Sequence, residues 1–224
     1  MKPYNWENEY KNSELLWGLK PNSTLMQYAE LVPAAGKVLD IGIGEGRNAF
    51  FFAQKGCAVE GIDLSETAIE RCKTLSKQYQ LNIEAHVEDV ATFDIKPNQY
   101  SLIILSNVLN FIPEPKIAPL LDQVKRGLTE DGFVYVNAFD IDEPSRQKAV
   151  REYERLGENS FFIRKNGMYI HYFRKGELEE YFLTYKTIKT GYSYALDLSH
   201  GEPHYHSTIE ILAQKQRGLD DIDF

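Results

Sequence analysis

The chain has 224 residues, of which 43% are hydrophobic and 26% are charged. A chain of this length buries a core in one domain without disulfide or metal staples. Lys and Arg number 25 against 33 Asp and Glu, which gives a net charge of −8. Because an acidic surface repels phosphate backbones and anionic lipid, we expect neither nucleic acid nor a membrane as the main partner.

The two cysteines, Cys57 and Cys72, form no CxxC pair. This usage favours a reducing compartment over a disulfide framework. The opening residues carry no apolar h-region, and no apolar run approaches the roughly 18 residues that a membrane span needs. The sequence therefore predicts a cytoplasmic protein, present as a monomer or a homodimer.

Short apolar runs alternate with amphipathic stretches along the chain. Seven of these runs are predicted strands: Val38–Gly42, Ala58–Leu64, Ile83–Glu88, Ser101–Asn107, Gly132–Phe139, Lys186–Ala195 and Ser207–Gln214. Strands that alternate with helices imply right-handed crossovers and a parallel sheet covered on both faces. The last two strands have only a loop between them, which predicts an antiparallel pair.

Helices are predicted between the early strands and again after the fifth strand. Asn48–Lys55 forms one, with Gly56 as its left-handed C-terminal cap. Ser65 is the expected N-cap of another. Ser145–Leu156 and Arg174–Phe182 are helical segments of an insertion that precedes the closing hairpin. We expect one α/β domain over residues 1–224, with a substrate cap at residues 140–175.

The strongest local motif is VLDIGIGEGRNAFFFA at residues 38–53. A strand runs into three alternating glycines, which permit a sharp turn and close approach of a ligand to the backbone. Arg47 occupies the position where a dinucleotide-binding GxGxxG motif has its third glycine. Asp40 would repel a pyrophosphate but suits a cationic ligand such as the ammonium group of an amino acid. The alternative interpretation is a tight turn with an incidental acid.

Two further acids end strands. Asp63 follows the glycine turn by about 20 residues at the end of the second strand, where an acid accepts hydrogen bonds from a ribose diol. Asp89 ends the third strand and could accept a hydrogen bond from an adenine amine, while the Val90 amide could reach a ring nitrogen.

Together these motifs resemble the class I S-adenosylmethionine-dependent methyltransferases, in order and spacing, from about Val38 to Phe139. The resemblance implies a Rossmann-like seven-stranded, mostly parallel sheet with a C-terminal antiparallel hairpin. It implies S-adenosylmethionine as cofactor and S-adenosylhomocysteine as product. The residues it assigns to the cofactor are Asp40, Gly42, Gly44, Arg47, Asp63, Leu64, Asp89, Val90, Ser106 and Asn107.

Within that class, GEGRNAFFFAQKG and VEGIDLSETAI look like the tellurite-resistance methyltransferases and related small-molecule enzymes. Residues 1–32 would then supply lid helices over the cofactor, with Trp6, Tyr10 and Trp17 as aromatic contacts, although ordinary helix packing explains these aromatics as well. Residues 107–110 read NVLN, not the NPPY-type tetrapeptide of enzymes that methylate nucleobase or glutamine nitrogens. We therefore expect a small-molecule acceptor.

Four of the five histidines lie between residues 171 and 206. His204, His206 and His171 are the candidate bases for an acceptor that must lose a proton, with His204 first. The spacing of His200, His204 and His206 also suits a metal, but methyl transfer needs none, and we expect no metal site.

The predicted function is transfer of a methyl group to a small molecule, such as an anionic or chalcogen-containing metabolite, by in-line displacement. One alternative is a non-catalytic regulator that binds S-adenosylmethionine. The other is a nicotinamide-dependent oxidoreductase, which the missing third glycine and Asp40 argue against.

Overall fold

The computed structural model describes residues 4–197 and 203–218. Ten strands are present in this part of the chain: β1 (Lys37–Ile41), β2 (Ala58–Asp63), β3 (Ile83–Val87), β4 (Tyr100–Ser106), β5 (Leu128–Phe139), β6 (Glu154–Arg155), β7 (Ser160–Ile163), β8 (Met168–His171), β9 (Lys186–Asp197) and β10 (His204–Gln214). Seven of them form the central sheet in the order β3-β2-β1-β4-β5-β10-β9.

The first five strands run parallel, and β10 is antiparallel both to β5 and to β9. This confirms the predicted mixed α/β fold with its closing hairpin. β1 lies between β2 and β4, so Asp40 is in register with Gly61 on one side and Ile104 on the other. The strand order therefore reverses beside β1, and in open α/β sheets ligands bind at such a switch point.

Seven helices accompany the strands in the described residues: α1 (Trp6–Lys11), α2 (Ser23–Gln27), α3 (Arg47–Gln54), α4 (Glu66–Gln78), α5 (Glu114–Gly127), α6 (Pro144–Glu152) and α7 (Glu177–Tyr181). Ser65 is the N-cap of α4 as predicted, because its Oγ accepts a hydrogen bond from the Ala68 N–H at 3.1 Å. None of these helices has both the length and the apolar character that crossing a bilayer requires.

The core consists of two layers of apolar side chains, one on each face of the central sheet. On one face, Leu39 and Ile103 pack with α5 residues such as Leu121. On the other, Val38 and Ile104 pack with α3 and α4. Alternate residues of β1 and β4 thus point to opposite layers, as side chains do along any strand. Polar side chains lie instead at the carboxyl ends of the parallel strands, where Asp40, Asp63 and Ser106 are found.

The insertion between β5 and β9 differs from the sequence prediction. Its helix α6 ends at Glu152 rather than at Leu156. Glu154 and Arg155 instead pair with Phe162 and Phe161, because β6, β7 and β8 form a small antiparallel sheet. The expected helix Arg174–Phe182 is also shorter, with α7 starting at Glu177. That the insertion is a substrate cap stays a prediction.

Candidate functional site

A cavity of about 180 Å³ lies at the carboxyl ends of β1, β2 and β4. All ten residues that the sequence analysis assigned to a cofactor line it: Asp40, Gly42, Gly44, Arg47, Asp63, Leu64, Asp89, Val90, Ser106 and Asn107. The topology explains this convergence, because parallel neighbouring strands end at the same edge of the sheet. Their contacts with a cofactor stay a prediction.

The glycine turn after β1 needs its glycines for conformation and for space. Gly42 and Gly44 have φ values of +70° and +54°, a region that residues with a Cβ rarely adopt. A Cβ on Gly42 would lie 2.4 Å from Cγ2 of Val108. The Gly42 N–H donates to the Ile62 carbonyl at 2.8 Å. The turn is therefore held against the end of β2.

Asp40 is buried at the floor of the cavity, with 2% of its surface exposed. Burial raises the pKa of its carboxyl group to about 7; the Arg47 guanidinium opposes this shift and the Asp63 carboxylate adds to it. A buried acid with such a pKa gains stabilisation of its charged form when a cation binds beside it. The site therefore suits a ligand with a positive charge near β1.

Asp63 joins the end of β2 to the glycine turn. Its Oδ2 accepts a hydrogen bond from the Gly44 N–H at 3.0 Å, and its Oδ1 accepts one from the Ser65 N–H at 2.9 Å. Burial raises the pKa of the carboxyl group, against the effect of these hydrogen bonds. Each carboxylate oxygen has a second lone pair, so Asp63 retains acceptor capacity for ligand hydroxyls. The next side chain, Leu64, is 52% exposed and offers an apolar surface.

Asp89 and Val90 line another side of the cavity, just after β3. The Oδ1 of Asp89 accepts a hydrogen bond from the Ala91 N–H at 2.9 Å, which closes an Asx turn. Asp89 is exposed, whereas Val90 is partly buried and packs against the core. The pair thus presents one carboxylate and one backbone amide next to an apolar wall.

Arg47, Ser106 and Asn107 lie where α3 faces the end of β4. Arg47 Nη2 donates to Ser106 Oγ at 3.0 Å. Asn107 has a φ of +57°, and its Oδ1 is buried with no hydrogen-bond partner among residues 4–197 and 203–218. Leaving such an oxygen unsatisfied costs about 1–3 kcal/mol. Asn107 thus carries this cost in a residue that lines the cavity.

The N-terminal segment covers the cavity, where Trp6, Tyr10 and Trp17 line the wall. Glu7 of α1 fastens this segment to the start of α4. Its Oε2 accepts from Ser65 Oγ at 2.6 Å and from the Thr67 N–H at 3.0 Å. Burial alone would raise the pKa of Glu7, but hydrogen bonds from Ser65, Thr67 and Lys11 hold it at about 2.

A second carboxylate, Glu45 in the glycine turn, also holds this segment. Glu45 is buried, and it accepts from the Leu16 N–H at 2.8 Å and from Arg71 Nη1 at 2.8 Å. Neither Glu7 nor Glu45 was predicted from the sequence. Apart from Lys11, which pairs with Glu7, the partners named here lie 26 to 60 residues away along the chain, so no local motif marks these contacts.

His171 does not line the cavity. It is buried, with its Nε2 3.0 Å from Glu177 Oε1 and its Nδ1 2.8 Å from Ser160 Oγ. Ser160 Oγ also donates to Glu114. Both ring nitrogens are thus engaged in a buried network between β8 and α7. The geometry therefore does not support the predicted role of His171 as a base.

His204 and His206 lie at the start of β10, at the sheet edge that bears the cavity. Neither lines the cavity, but the His206 ring stacks on Phe139, which does. Their Nε2 atoms are 3.0 Å apart. Their roles as bases stay predictions, and His200, the third member of the predicted cluster, lies outside the described residues.

Comparison with known families and curated proteins agrees with this arrangement. Residues 38–132 match a family model described as a methyltransferase domain. A ubiquinone biosynthesis O-methyltransferase of Coxiella burnetii is 31% identical over 97 residues, 42% of each chain. A probable S-adenosyl-L-methionine-dependent methyltransferase, TehB of Haemophilus influenzae, is 26% identical over 140 residues, 60% of this chain and 48% of TehB. The matching sequence segments thus span less than half the length of these relatives.

Solved structures show the same fold. TehB from Haemophilus influenzae superposes with a TM-score of 0.69 at 20% identity, covering 87% of this chain and 62% of TehB. A SAM-dependent methyltransferase of Methanosarcina mazei gives a TM-score of 0.70 at 21% identity, covering 88% of this chain and 99% of that chain. At these identities the likeness concerns the fold alone.

Proposed function

We propose that this chain, a member of the class I S-adenosylmethionine-dependent methyltransferase family by the sequence of residues 38–132 and by its fold, methylates a small-molecule acceptor. The observation that carries the proposal is the convergence of Asp40, the glycine turn and Asp63 on one cavity, where Asp40 is a buried acid suited to a cationic ligand.

The residues of the cavity fit the cofactor. Asp63 would accept hydrogen bonds from the ribose hydroxyls, and Leu64 would pack on the adenine ring. Asp89 and the Val90 amide would recognise the adenine edge. The glycine turn supports this fit, because Gly42 and Gly44 line the cavity and let a ligand approach the backbone there.

The methionine part of the cofactor would lie along Asp40, Gly42 and Gly44. Here the cationic ammonium group would favour the ionised form of Asp40. When bound, the cofactor supplies a methyl group activated by its positively charged sulfur. The chain's own contribution is to orient an acceptor behind that methyl group and to exclude water, which lowers the barrier by roughly 7–11 kcal/mol in well-oriented systems.

Aromatic rings form the wall beside Asn107. Trp6 meets Phe111 edge-on with ring centroids 4.7 Å apart, and Phe111 meets Phe139 at 6.4 Å. Such a wall suits an acceptor with an apolar or polarisable body. Arg47 and Ser106 add polar contacts to the same cavity, and Arg47 would attract an anionic acceptor.

Among the described residues, the lining of the cavity includes no histidine. We therefore expect the first acceptors to be groups that need no base in the protein, such as thiolates and other chalcogen anions. Phenols, as in the reaction that the name of the Coxiella burnetii relative implies, are the next class to test.

The proposal is tested by incubating the protein with methyl-labelled S-adenosylmethionine and a panel of thiols, chalcogen oxyanions and phenols. We expect label in one acceptor class and release of S-adenosylhomocysteine, both reduced in Asp63→Asn. Binding of the cofactor without transfer to any class would favour the regulator instead. No binding at all would contradict the proposal.

A further inference from the structure

Three metal-ligating side chains meet at the loop end of the β9–β10 hairpin. They are Asp197, the last residue of β9, and His204 and His206 at the start of β10. The two Nε2 atoms are 3.0 Å apart, and Asp197 Oδ2 is 3.7 Å from the Nε2 of His206. One ligand atom from each residue lies within 4.8 Å of the others.

These separations are close to those of a bound metal. Zn²⁺ takes imidazole nitrogen and carboxylate oxygen at about 2.0–2.2 Å in a tetrahedral arrangement, which places neighbouring ligand atoms roughly 3.3 Å apart. The distances of 3.0 and 3.7 Å in this structure lie on either side of this value. Small rotations of the side chains would therefore bring the three atoms around one ion.

A fourth residue, Glu143, fixes the orientation of His206. Glu143 is 3% exposed, and its Oε1 and Oε2 lie 3.2 and 3.3 Å from the Nδ1 of His206. Its Oε2 also accepts a hydrogen bond from the Ser207 N–H at 2.7 Å. With Nδ1–H donated to this carboxylate, the Nε2 of His206 points towards His204 and Asp197. Ligating histidines in metalloproteins commonly have such a carboxylate partner.

We propose that Asp197, His204 and His206 bind a divalent transition-metal ion of the Zn²⁺ type, with Glu143 as the outer carboxylate. From the sequence we expected no metal, because methyl transfer needs none and the spacing of the histidines alone was a weak indication. The structure adds the contributions of Asp197 and Glu143, which are distant in sequence from one another. The His206 ring stacks on Phe139, which lines the cavity, so the proposed metal site lies next to the cavity. Metal binding at this site does not depend on the proposed methyl transfer.

The test uses the protein without a polyhistidine tag, stripped with a chelator and titrated calorimetrically with Zn²⁺. We expect one ion per chain with micromolar affinity or tighter. Substitution of Co²⁺ should give the visible absorption of a low-coordinate site. Absence of saturable Zn²⁺ binding by the wild-type protein would overturn the proposal and would favour a simple hydrogen bond between the two histidines.

Variants locate the site. His206→Ala and Asp197→Asn should lose tight binding, whereas His86→Ala, on β3 at the opposite edge of the sheet, should bind as the wild type does. Glu143→Gln retains all three ligands and should weaken binding roughly 10–100-fold. Circular dichroism confirms folding of each variant. Equal affinity in the wild type, His206→Ala and Glu143→Gln would overturn the assignment.

Discussion

The Gly44 N–H donates a hydrogen bond of 3.0 Å to the Oδ2 of Asp63, and this contact joins the turn after β1 to the end of β2. The two residues are 19 positions apart. The same carboxylate that we expect to bind ribose thus also stabilises the turn that we expect to hold the methionine part. Asp63 therefore links the two halves of the proposed cofactor site.

Replacing Asp63 by Ala should weaken binding of S-adenosylhomocysteine by about 1.5–3 kcal/mol, the usual contribution of hydrogen bonds to a charged group. Isothermal titration calorimetry measures this effect. Asp94→Ala is the matched control, because Asp94 is an exposed acid that pairs with Lys96 and lies outside the cavity. Wild-type affinity in a folded Asp63→Ala protein would contradict the ribose assignment.

Asp40 should make the stability of the unliganded protein depend on pH. Its pKa is about 7 in the folded protein and near 3.8 when unfolded. Between these values the folded protein holds a proton that the unfolded chain has lost, so the free energy of unfolding falls as pH rises from about 4 to about 7. Above pH 7 this contribution is constant.

Asp40→Asn removes that titration. Between pH 5 and pH 8 this titration should lower the unfolding free energy of the wild type by about 2–3 kcal/mol. Asp40→Asn should not show this loss. Urea denaturation at the two pH values measures the difference. If the wild type and the variant change in parallel with pH, Asp40 does not titrate in this range.

Glu7→Gln should loosen the N-terminal segment from α4. The variant keeps the size of the side chain, but an NH₂ group replaces one of the two carboxylate oxygens that accept hydrogen bonds from Ser65 and Thr67. The negative charge is lost as well. We expect faster amide exchange in α1 and affinity for S-adenosylhomocysteine lower by about 1 kcal/mol. Glu9→Gln, on the same helix but bonded to Tyr4, is the control and should change neither.

The Glu7 contacts also predict a dependence on acid. Because the pKa of Glu7 is lowered from 4.5 to about 2, its stabilising contribution is complete above about pH 4.5 and is lost as pH falls through about 2. Exchange in α1 of the wild type should therefore approach that of Glu7→Gln at the acid end of this window. A constant difference between the two proteins across the window would contradict this account.

His171→Ala should act on stability and not on the cofactor site. Its loss removes the buried imidazole that contacts Ser160 Oγ and Glu177 Oε1, which costs about 2–4 kcal/mol of unfolding free energy. Ser160 keeps its bond to Glu114, and Glu177 keeps its bond from the Arg174 N–H. Tyr169→Ala, on the same strand but 37% exposed, should cost far less. Thermal denaturation and calorimetry with S-adenosylhomocysteine separate the two effects. An unchanged melting temperature with reduced turnover would restore the catalytic interpretation.

The centre of the sheet could be predicted because β1, β4 and most of β5 are apolar runs buried on both faces. The parallel direction of the early strands was inferred from the alternation of strand and helix. The strand order was not predicted, and no helix separates β3 from β4. The predicted ends of strands were less accurate where pairing with a neighbouring strand determines where a strand begins. β5 begins at Leu128, four residues before the predicted Gly132, because Leu128 pairs with Tyr100 across an irregular register.

The strands of the insertion and the contacts of the N-terminal segment could not be predicted from local pattern. The polar residues Glu154 and Arg155 become a strand only because Phe161 and Phe162 supply a partner. Helix α5 contains Pro119, which makes a helix hard to recognise from the sequence. Glu7, Glu45 and Glu143 act through partners far along the chain, so their roles emerge only when the fold brings those partners together.

Calorimetric titration with S-adenosylhomocysteine, in parallel with NAD⁺, tests the central claim most directly. The account predicts that one molecule of S-adenosylhomocysteine binds per chain with micromolar affinity, because Asp63 and the buried Asp40 suit an adenosyl group joined to an amino acid. NAD⁺ should give no saturable heat, since its pyrophosphate would lie against Asp40. Saturable binding of NAD⁺ with no binding of S-adenosylhomocysteine would contradict the account.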